Sequence, residues 1–345
     1  RRRSRRSRAG CRSERRRRAA GARTVRAVDT IQLTTRPVLR DPVLVAAFKG
    51  WNDGGSAATI AAAFLRNRCD AELFGSIDPD GFVDYQQTRP VVSVEEGHVR
   101  RITWPETELF HARLPDGERD VVLVIGVEPN FRWKEYSGAI AELASQLGCS
   151  LAVTLGGLLA DTPHTRDVPV SGAAHDPALI GRFDLEPIRY EGPTGIVGVL
   201  HDDLHRLGIP SASLWAAVPH YLGGNPNPTA ALALVRALEP LLGCELSPAE
   251  LEEASAEFDR QIARVVAKDA DMRSYVADLE ERLDSGEAFD DDDEDDDEDD
   301  DEIDFGADED GEAETADELT SEDLPSADEL AAELQDFLRR QGDDA

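Results

Sequence analysis

Side chains that could transfer protons follow the apolar, β-branched segments of this chain, at the points where those segments end. Carboxylates and imidazoles are the groups that most often act as general acids and bases. Ligands of open α/β sheets bind at the carboxyl ends of the strands. The candidate catalytic groups are therefore the ones expected at such ends: Asp53, Glu128, His164 and His220.

The same segment ends supply further residues that could line a crevice for a small ligand. Gly54, Gly55 and Ser56 precede a helical stretch, where unpaired amides and the helix dipole favour an anion. A structural explanation competes, because Asn52 or Asp53 can simply cap that helix and the glycines can simply allow the turn. The residues predicted to line the crevice are Trp51, Asn52, Asp53, Gly54, Gly55, Ser56, Gly156, Gly157, Asp161, Thr165, Arg166 and Tyr221.

Motifs that mark common enzymes are missing from the sequence. It contains no G-x-S-x-G elbow, no Walker loop, no G-x-G-x-x-G fingerprint and no kinase motif set. His201 and His205 lie four residues apart, as the zinc-binding histidines of H-E-x-x-H do. Asp202 replaces the glutamate of that motif, and no third ligand is identifiable. We therefore predict no metal site and no cofactor.

The charge of the chain is strongly segregated. Lysine and arginine together number 37 against 70 acids, which gives a formal net charge of −33. Residues 1–26 contain 13 arginines and one glutamate, whereas residues 284–345 contain 31 acids and two arginines. The 257 residues between these segments are enough for one large domain with a small appendage.

The arginine-rich segment 1–26 allows two interpretations. Arginine runs neutralise phosphates, which would suit a nucleic-acid-binding arm. However, Met272 is the only methionine, and arginine outnumbers lysine 34 to 3. These features favour a GC-rich genome and a translation start placed too early, ahead of a true start near Val25 or Val28. We prefer the second interpretation and expect no nucleic-acid partner.

The remaining composition argues against membrane and secreted classes. The longest apolar runs, such as Leu151 to Ala160, are much shorter than the roughly 20 residues that span a bilayer. No apolar segment follows the arginine-rich start, as a secretory signal would require. The four cysteines are far apart and form no C-x-x-C pair, which is typical of reduced thiols. We expect a cytoplasmic protein with no membrane partner.

Short β-branched runs alternate with Ala/Leu-rich stretches over residues 27–246, the pattern of a sheet covered by helices. Strands are predicted at about 42–48, 71–77, 91–94, 98–104, 107–114, 121–127, 150–155 and 212–218. Helices are predicted at about 56–68, 135–147, 193–207 and 229–242. Gly156 and Gly157 are expected to end the strand before them. The predicted fold class is α/β, an αβα sandwich with a mainly parallel sheet.

The composition changes after this domain. In residues 247–283, apolar side chains recur at spacings of three and four in two stripes, which predicts a helical hairpin packed on the sheet domain or on another subunit. Residues 284–345 are predicted to be a disordered acidic tail, interrupted by a short amphipathic helix at about 327–340. That helix either remains solvated or docks, on a partner or on its own domain, through Leu330, Leu334, Phe337 and Leu338.

Several longer motifs carry a family resemblance. They are GWNDGGSA at 50–57, GGLLADTPHTRDVPVSGAA at 156–174 and PTGIVGVLHDDLHRLGIPSASLWAAVPHYLGGNPNP at 193–228, followed by the predicted hairpin. From about residue 43 to 283 the chain resembles the proteasome assembly chaperone 2 (PAC2) family, in its bacterial, actinobacterial-type branch. The resemblance implies an αβα sandwich laid out like nucleoside phosphorylases and peptidyl hydrolases. It also implies binding to other proteins, without established catalytic residues.

Two functions remain open at this stage. The first is a non-enzymatic interaction or assembly factor, for which the resemblance points to proteasome-related partners. It is expected to form homo-oligomers, with a trimer favoured by the phosphorylase-like layout. The second is a small-ligand enzyme, phosphorylase-like or hydrolase-like, that uses the crevice. Family chaperones can dock through a terminal hydrophobic-Tyr-any motif, whereas residues 341–345 read QGDDA. We therefore expect the helix at about 327–340 to make any such contact.

Overall fold

The computed structural model describes residues 30–95, 99–115, 118–190 and 192–285. The arginine-rich segment 1–26 and the acidic tail from residue 286, with its short predicted helix, lie outside the described residues. The strands within the described part are β1 (Ile31–Leu33), β2 (Val43–Lys49), β3 (Glu72–Ile77), β4 (Val91–Glu95), β5 (Val99–Thr103), β6 (Thr107–Arg113), β7 (Asp120–Val127), β8 (Leu151–Ala160), β9 (Val170–Ala174), β10 (Glu186–Pro187) and β11 (Ser211–Pro219).

Nine of these strands form one sheet, in the order β1-β3-β6-β7-β2-β8-β11-β9-β10. The four central strands, β7, β2, β8 and β11, run parallel to one another. Antiparallel pairing joins β6 to β7 on one side and β9 to β11 on the other. The side chains of residues 43–48 are all inaccessible to solvent, as expected for a parallel strand covered on both faces.

Helices cover both faces of the sheet. They are α1 (Ala57–Arg68), α2 (Trp133–Leu147), α3 (Pro177–Phe183), α4 (Ile196–Arg206), α5 (Pro228–Leu242), α6 (Ala249–Val266) and α7 (Ala270–Ser285). Leu65 of α1 and Leu234 of α5 join one apolar core, whereas Ile140 of α2 and Leu200 of α4 join a second core on the opposite face. The αβα sandwich predicted from the sequence is confirmed. Among the described residues, no helix is long and apolar enough to cross a bilayer.

Helices α6 and α7 form a pair that packs beyond the end of β11. Their own apolar core joins Phe258 and Ile262 of α6 to Met272 and Val276 of α7, and Leu222 anchors it to the sheet domain. Leu251 of α6 belongs to the core shared with α5. The two stripes of apolar residues therefore face each other and the body of the chain.

Gly156 and Gly157 lie inside β8 and do not end it, which corrects the predicted strand at 150–155. A Cβ on Gly156 would lie 2.2 Å from the ring of Trp215, and one on Gly157 would lie 2.5 Å from the carbonyl oxygen of Gly54. Both glycines are thus required by close neighbours. Two adjacent glycines predict the end of a strand, because the sequence does not show what packs against them.

Short elements at the two sides of the sheet are not predicted by the sequence pattern. They are β1, β9, α3 and β10, which have two to seven residues each and are mostly half-buried or exposed. Burial periodicity is the main signal for secondary structure in a sequence. Elements this short and this exposed show too little burial periodicity to be predicted.

Strands β4 and β5 pair only with each other in the described residues and form a second, two-stranded sheet. They connect the end of β3 to the start of β6. Because β3 runs in the direction of β7, this β4–β5 arm leaves from the carboxyl end of the central strands. At its base the rings of Tyr85 and Trp104 lie 5.0 Å apart between centroids.

Candidate functional site

Glu128 and Asn52 form a partly buried contact where β7 and β2 end. Asn52 Nδ2 donates to Glu128 Oε1 at 3.0 Å, and the backbone amide of Ile196 donates to the same oxygen at 2.8 Å. Ile196 is the first residue of α4, and Gly195 before it has no side chain to cap the helix. A carboxylate at a helix N-terminus satisfies an unpaired amide and is stabilised by the helix dipole. Glu128 therefore acts here as the cap of α4.

The carboxylate of Asp53 accepts hydrogen bonds from the first turn of α1, the helix that follows it. Its Oδ1 accepts hydrogen bonds from the amides of Ala58 at 2.8 Å and Thr59 at 3.2 Å, and its Oδ2 accepts one from Thr59 Oγ1 at 2.5 Å. Burial raises the pKa of this carboxyl to about 6, and the hydrogen bonds from Thr59 and Ala58 only partly oppose that effect. All three contacts are the kind that cap a helix.

The loop of Gly54, Gly55 and Ser56, where the sequence would allow an anion to bind, packs directly on β8. Asp53 pairs with Gly157 in an isolated parallel bridge, and the amide of Gly157 donates to the carbonyl of Asn52 at 2.9 Å. A Cβ on Gly54 would lie 3.0 Å from the carbonyl oxygen of Gly157. Gly55 and Ser56 both have left-handed backbone angles, with φ of 59° and 52°. The loop and the strand therefore meet backbone to backbone.

His164 and Tyr221 form a separate contact near the ends of β8 and β11. The amide of His164 donates to Tyr221 Oη, and Tyr221 Oη lies 2.8 Å from His164 Nδ1. The tyrosine hydroxyl can donate to an unprotonated Nδ1 or accept from Nδ1–H, so the tautomer of His164 sets the direction of this contact. Burial lowers the pKa of His164 and raises that of Tyr221 to about 12.

Arg166 and Thr165 contact the last turns of α7. Arg166 forms ion pairs with Glu280 at 3.0 Å and with Asp284 at 2.8 Å. Thr165 donates its hydroxyl to Glu280 as well. Neither partner could have been identified from the sequence, because more than a hundred residues separate them from residues 165 and 166.

His220 and Asp161 complete the contact with α7. His220 Nδ1 lies 3.0 Å from Asp161 Oδ1, and His220 Nε2 lies 3.1 Å from Tyr275 Oη. Arg282 of α7 also reaches Asp161, at 3.1 Å. The residues predicted for one crevice are thus divided between two groups. We call Asn52, Asp53 and Glu128 the inner cluster, and the hairpin cluster consists of Asp161, His164, Thr165, Arg166, His220 and Tyr221.

The four candidate catalytic groups form two pairs. Asp53 and Glu128 lie on either side of Asn52, whereas His164 and His220 both have their rings against Tyr221, with centroids 6.0 and 5.8 Å away. A cavity of about 10 Å³ lies beside the hairpin cluster, lined by Thr162, Pro163, His164, Val168, Pro219, Asn227, Thr229, Phe258 and Asp259. That is roughly the space one water needs. Thr162 Oγ1 is buried there without a protein partner.

Comparison with known proteins agrees with this fold. Residues 47–266 match the PAC2 family. The chain belongs to the PAC2 family. A PAC2 family protein from Streptomyces avermitilis has 44% identity and a TM-score of 0.62, over 68% of this chain and all of that one. A proteasome-assembly chaperone homologue from Mycobacterium tuberculosis has the same identity and TM-score, over 68% of this chain and 99% of that one.

More distant structures share the fold. An archaeal proteasome activator from Pyrococcus furiosus is 22% identical, with a TM-score of 0.56, over 68% of this chain and 98% of that one. At this identity only the architecture is comparable. None of the curated proteins matches the chain.

The two histidines with zinc-like spacing do not act together in this PAC2-family chain. His201 is buried between Thr154 Oγ1 at 2.9 Å and Ser211 Oγ at 2.8 Å, where burial lowers its pKa to about 4. His205 is exposed, and its ring lies 5.8 Å from that of His175. Within the described residues, no group of three or more His, Cys, Asp or Glu side chains could hold a metal ion.

Exposed apolar side chains gather at the carboxyl end of the sheet of this PAC2-family chain. Trp51, Phe131 and Leu159 follow or end β2, β7 and β8, and they are 69%, 51% and 55% exposed. The β4–β5 arm adds more, including Val91 at 66%. We call this set the carboxyl-end apolar face: Trp51, Val91, Val92, Val94, Ile102, Trp104, Phe131, Leu158 and Leu159. It includes nine of the fourteen large apolar side chains exposed in the described residues.

Sequence reasoning missed this face, apart from Trp51. The arm reads as an ordinary pair of strands, and a signal was nevertheless present in it. Val91 and Val92 are adjacent, so the strand has apolar residues on both of its faces. A surface hairpin normally keeps one face polar.

Proposed function

We propose that this PAC2-family chain is a protein-interaction factor that assists the assembly of a multisubunit complex. The carboxyl-end apolar face is the observation that carries the proposal. Large exposed apolar patches on soluble proteins usually mark sites of interaction. The tryptophans and phenylalanine in this face are the residue types enriched at protein interfaces. Its similarity to a proteasome-assembly chaperone homologue supports an assembly role.

The parts of the face are joined through their backbones. The amides of Asn130 and Phe131 both donate to the carbonyl of Phe82, so the loop after β7 lies against the base of the β4–β5 arm. On the other side, the side chain of Leu159 lies against Gly54, three residues after Trp51. The loops after β2 and β7, the end of β8 and the base of the arm are therefore neighbours at one edge of the sheet.

The hydrogen bonds of the inner cluster favour a structural role for two carboxylates that could otherwise act as general bases. Both carboxylate oxygens of Asp53 and Oε1 of Glu128 accept hydrogen bonds from within the fold, chiefly from the first turns of α1 and α4. A general base must instead be able to reach the proton of a substrate. These contacts favour protein binding over the alternative of a phosphorylase-like or hydrolase-like enzyme.

Three finer points belong to the same proposal. The partner is proteasome-related, in line with the name of the similar structure from Mycobacterium tuberculosis. The chain self-associates, as a trimer, which the phosphorylase-like layout of its fold favours. It works in the cytoplasm, which its free thiols support: Cys69, Cys149 and Cys244 form no disulfide among the described residues.

The test uses the full chain and purified proteasome subunits from the same organism. In the face variant, Trp51, Phe131 and Leu159 are each changed to Ser. The matched control changes Leu33, Leu73 and Leu207 to Ser, since these side chains are exposed apolar residues outside the face. We expect native mass spectrometry to detect a complex with the wild type and the control, and at least tenfold less complex with the face variant. Equal binding by the two variants would refute the role of the face.

One observation keeps the enzyme alternative testable. The pKa of Asp53 near 6 is in the range useful for a general base. A thermal-shift screen of the full chain with nucleosides, phosphate and divalent metals would detect such a ligand. A stabilisation that D53N abolishes would favour the enzyme, whereas unchanged melting with every compound supports the interaction factor.

A further inference from the structure

We propose that the carboxyl-end apolar face is covered, when no partner is bound, by residues 324–340 of the same chain. The inference rests on the proposed function, because it concerns the same face. It adds an occupant: a segment of the C-terminal tail that a partner must displace.

The tail begins beside this face. In the last two turns of α7, Glu280 and Asp284 bind Arg166, and Arg282 binds Asp161. Asp161 directly follows β8, whose last residues include Leu158 and Leu159 of the face. The chain therefore leaves α7 at the carboxyl end of the sheet.

The intervening chain is long enough. Residues 286–323 number 38, and even in a helical conformation they would span about 57 Å at 1.5 Å per residue. From β8 to β6, where the β4–β5 arm attaches, there are three strand spacings, or about 15 Å. The segment can reach every part of the face from its point of departure.

The segment and the face are complementary in chemistry. Leu330, Leu334, Phe337 and Leu338 recur at helical spacing, which predicts an amphipathic helix of the kind that lies in an apolar surface. The acidic tail also carries Arg339 and Arg340, and residues 91–104 of the arm contain two glutamates and two arginines, so charge does not decide this contact. Apolar contacts would provide the attachment.

Attachment within one chain does not require a strong contact. A tether of this length gives an effective concentration on the order of 1 mM. A segment that binds the face with a Kd of about 0.1 mM as a free peptide would then cover it about 90% of the time. A partner would bind such a covered face about tenfold more weakly than an open one.

The experiment compares two full-length variants that differ only in the tail. In the test variant, Leu334 and Phe337 are changed to Asp. The matched control changes Ile303 and Phe305 to Asp, the same kinds of substitution in the acidic stretch outside the segment. Trp51 and Trp104 are exposed in the face, whereas Trp133 and Trp215 are partly buried. Acrylamide quenching of tryptophan fluorescence therefore measures how accessible the face is to solvent.

We expect the test variant to show about twofold stronger quenching than the wild type and the control, to the same extent from 1 to 50 µM protein. Hydrogen exchange in the arm, residues 91–104, should also be faster in that variant alone. Equal quenching in all three proteins would overturn the inference. So would a difference that appears only at high concentration, because a second copy would then be the occupant.

The outcome is separable from that of the proposed function. If the face variant still binds proteasome subunits while the tail protects the tryptophans, the proposed function fails and the inference stands. If the face is required for binding but the tail gives no protection, the inference fails alone. A tenfold gain in partner affinity on changing Leu334 and Phe337 to Asp would support both.

Discussion

The inner cluster and the hairpin cluster contain similar side chains at the same edge of the sheet, but their partners differ. The inner cluster accepts hydrogen bonds from backbone amides, whereas the hairpin cluster forms ion pairs with side chains of α7. Asn52 and Asp53 are buried, and the acceptors of Asp53 and Glu128 take amide protons at the starts of helices. Asp161 and Arg166 are largely or partly exposed and pair with charged side chains of α7.

This difference shows why residue type at a strand end is a weak guide to role. A buried carboxylate bonded to backbone amides holds two elements of the domain together, and its removal leaves donors unsatisfied. An exposed ion pair contributes little, because water and salt screen it. We therefore expect changes to the inner cluster to alter the stability of the whole domain and changes to the hairpin cluster to alter one helix pair.

The largest effect is expected at Gly157, where the inner cluster meets β8. In Gly157→Ala the new methyl group would lie 2.5 Å from the carbonyl oxygen of Gly54, so the loop or the strand must move. Overpacking of this kind typically costs about 1–3 kcal/mol of unfolding free energy, and the backbone neighbour places this case at the upper end. Urea unfolding measures the loss.

Gly181→Ala serves as its control, because that position, in α3, is open to solvent. The control should be neutral or slightly stabilising, since alanine is the better helix former. If the two variants unfold at the same urea concentration, the loop and β8 are not in close contact.

A second, pH-dependent effect is expected at Asp53. The pKa of its carboxyl is raised to about 6 in the folded protein, against about 3.9 in the unfolded chain. The folded state then binds the proton more tightly than the unfolded chain does. Protonation of Asp53 therefore contributes stability that is fully present below pH 4 and is lost as the pH rises through 6. The loss amounts to about 3 kcal/mol at most, from a shift of about two pH units.

Asp53→Asn provides the comparison, because the amide keeps the acceptor for Ala58 and Thr59 and is neutral at every pH. Relative to the wild type, D53N should gain unfolding free energy between pH 4 and pH 7. Urea titrations at each pH give this difference, in which the other titrating groups cancel. A constant difference across that range would mean that Asp53 has an ordinary pKa when folded.

The strands of the central sheet were predictable because burial on both faces leaves continuous apolar runs. The runs at 43–48 and 121–124 are fully buried, and polar residues such as Asn52, Asp53 and Glu128 follow the ends of these two strands. What the sequence could not show is which partner each polar residue takes. Asp53 bonds to amides five and six residues away, whereas Arg166 pairs with side chains 114 and 118 residues away.

Roles that depend on such distant partners stay predictions at the sequence level. The candidate catalytic roles of Asp53, Glu128, His164 and His220 are of this kind, as is partner binding by Leu334 and Phe337. The carboxyl-end apolar face was missed for a related reason. Exposure of Val91 or Phe131 is a property of the assembled fold, and the same residues in a strand or turn would usually be buried.

The smallest effect on global stability is expected from the hairpin cluster. Changing Arg166 and Arg282 to Ala removes three ion pairs to α7 and to Asp161, all of them partly exposed. Exposed pairs contribute little to stability because water and salt screen them, so the unfolding free energy of the domain should fall only slightly. Local opening of α7, however, should become several-fold more frequent, because these pairs hold its last turns against the domain.

Hydrogen exchange distinguishes local from global opening. Amides of α7 should exchange faster in the double variant, while those of α1 should keep the wild-type rate. Arg260→Ala is the matched control, because Arg260 pairs with Glu257 within α6 and makes no ion pair across the cluster. The wild-type rate in α7 should itself rise at high salt, where the pairs are screened. Faster exchange in both α1 and α7 would instead mean that the hairpin cluster stabilises the whole domain. The contrast between the two clusters would then be wrong.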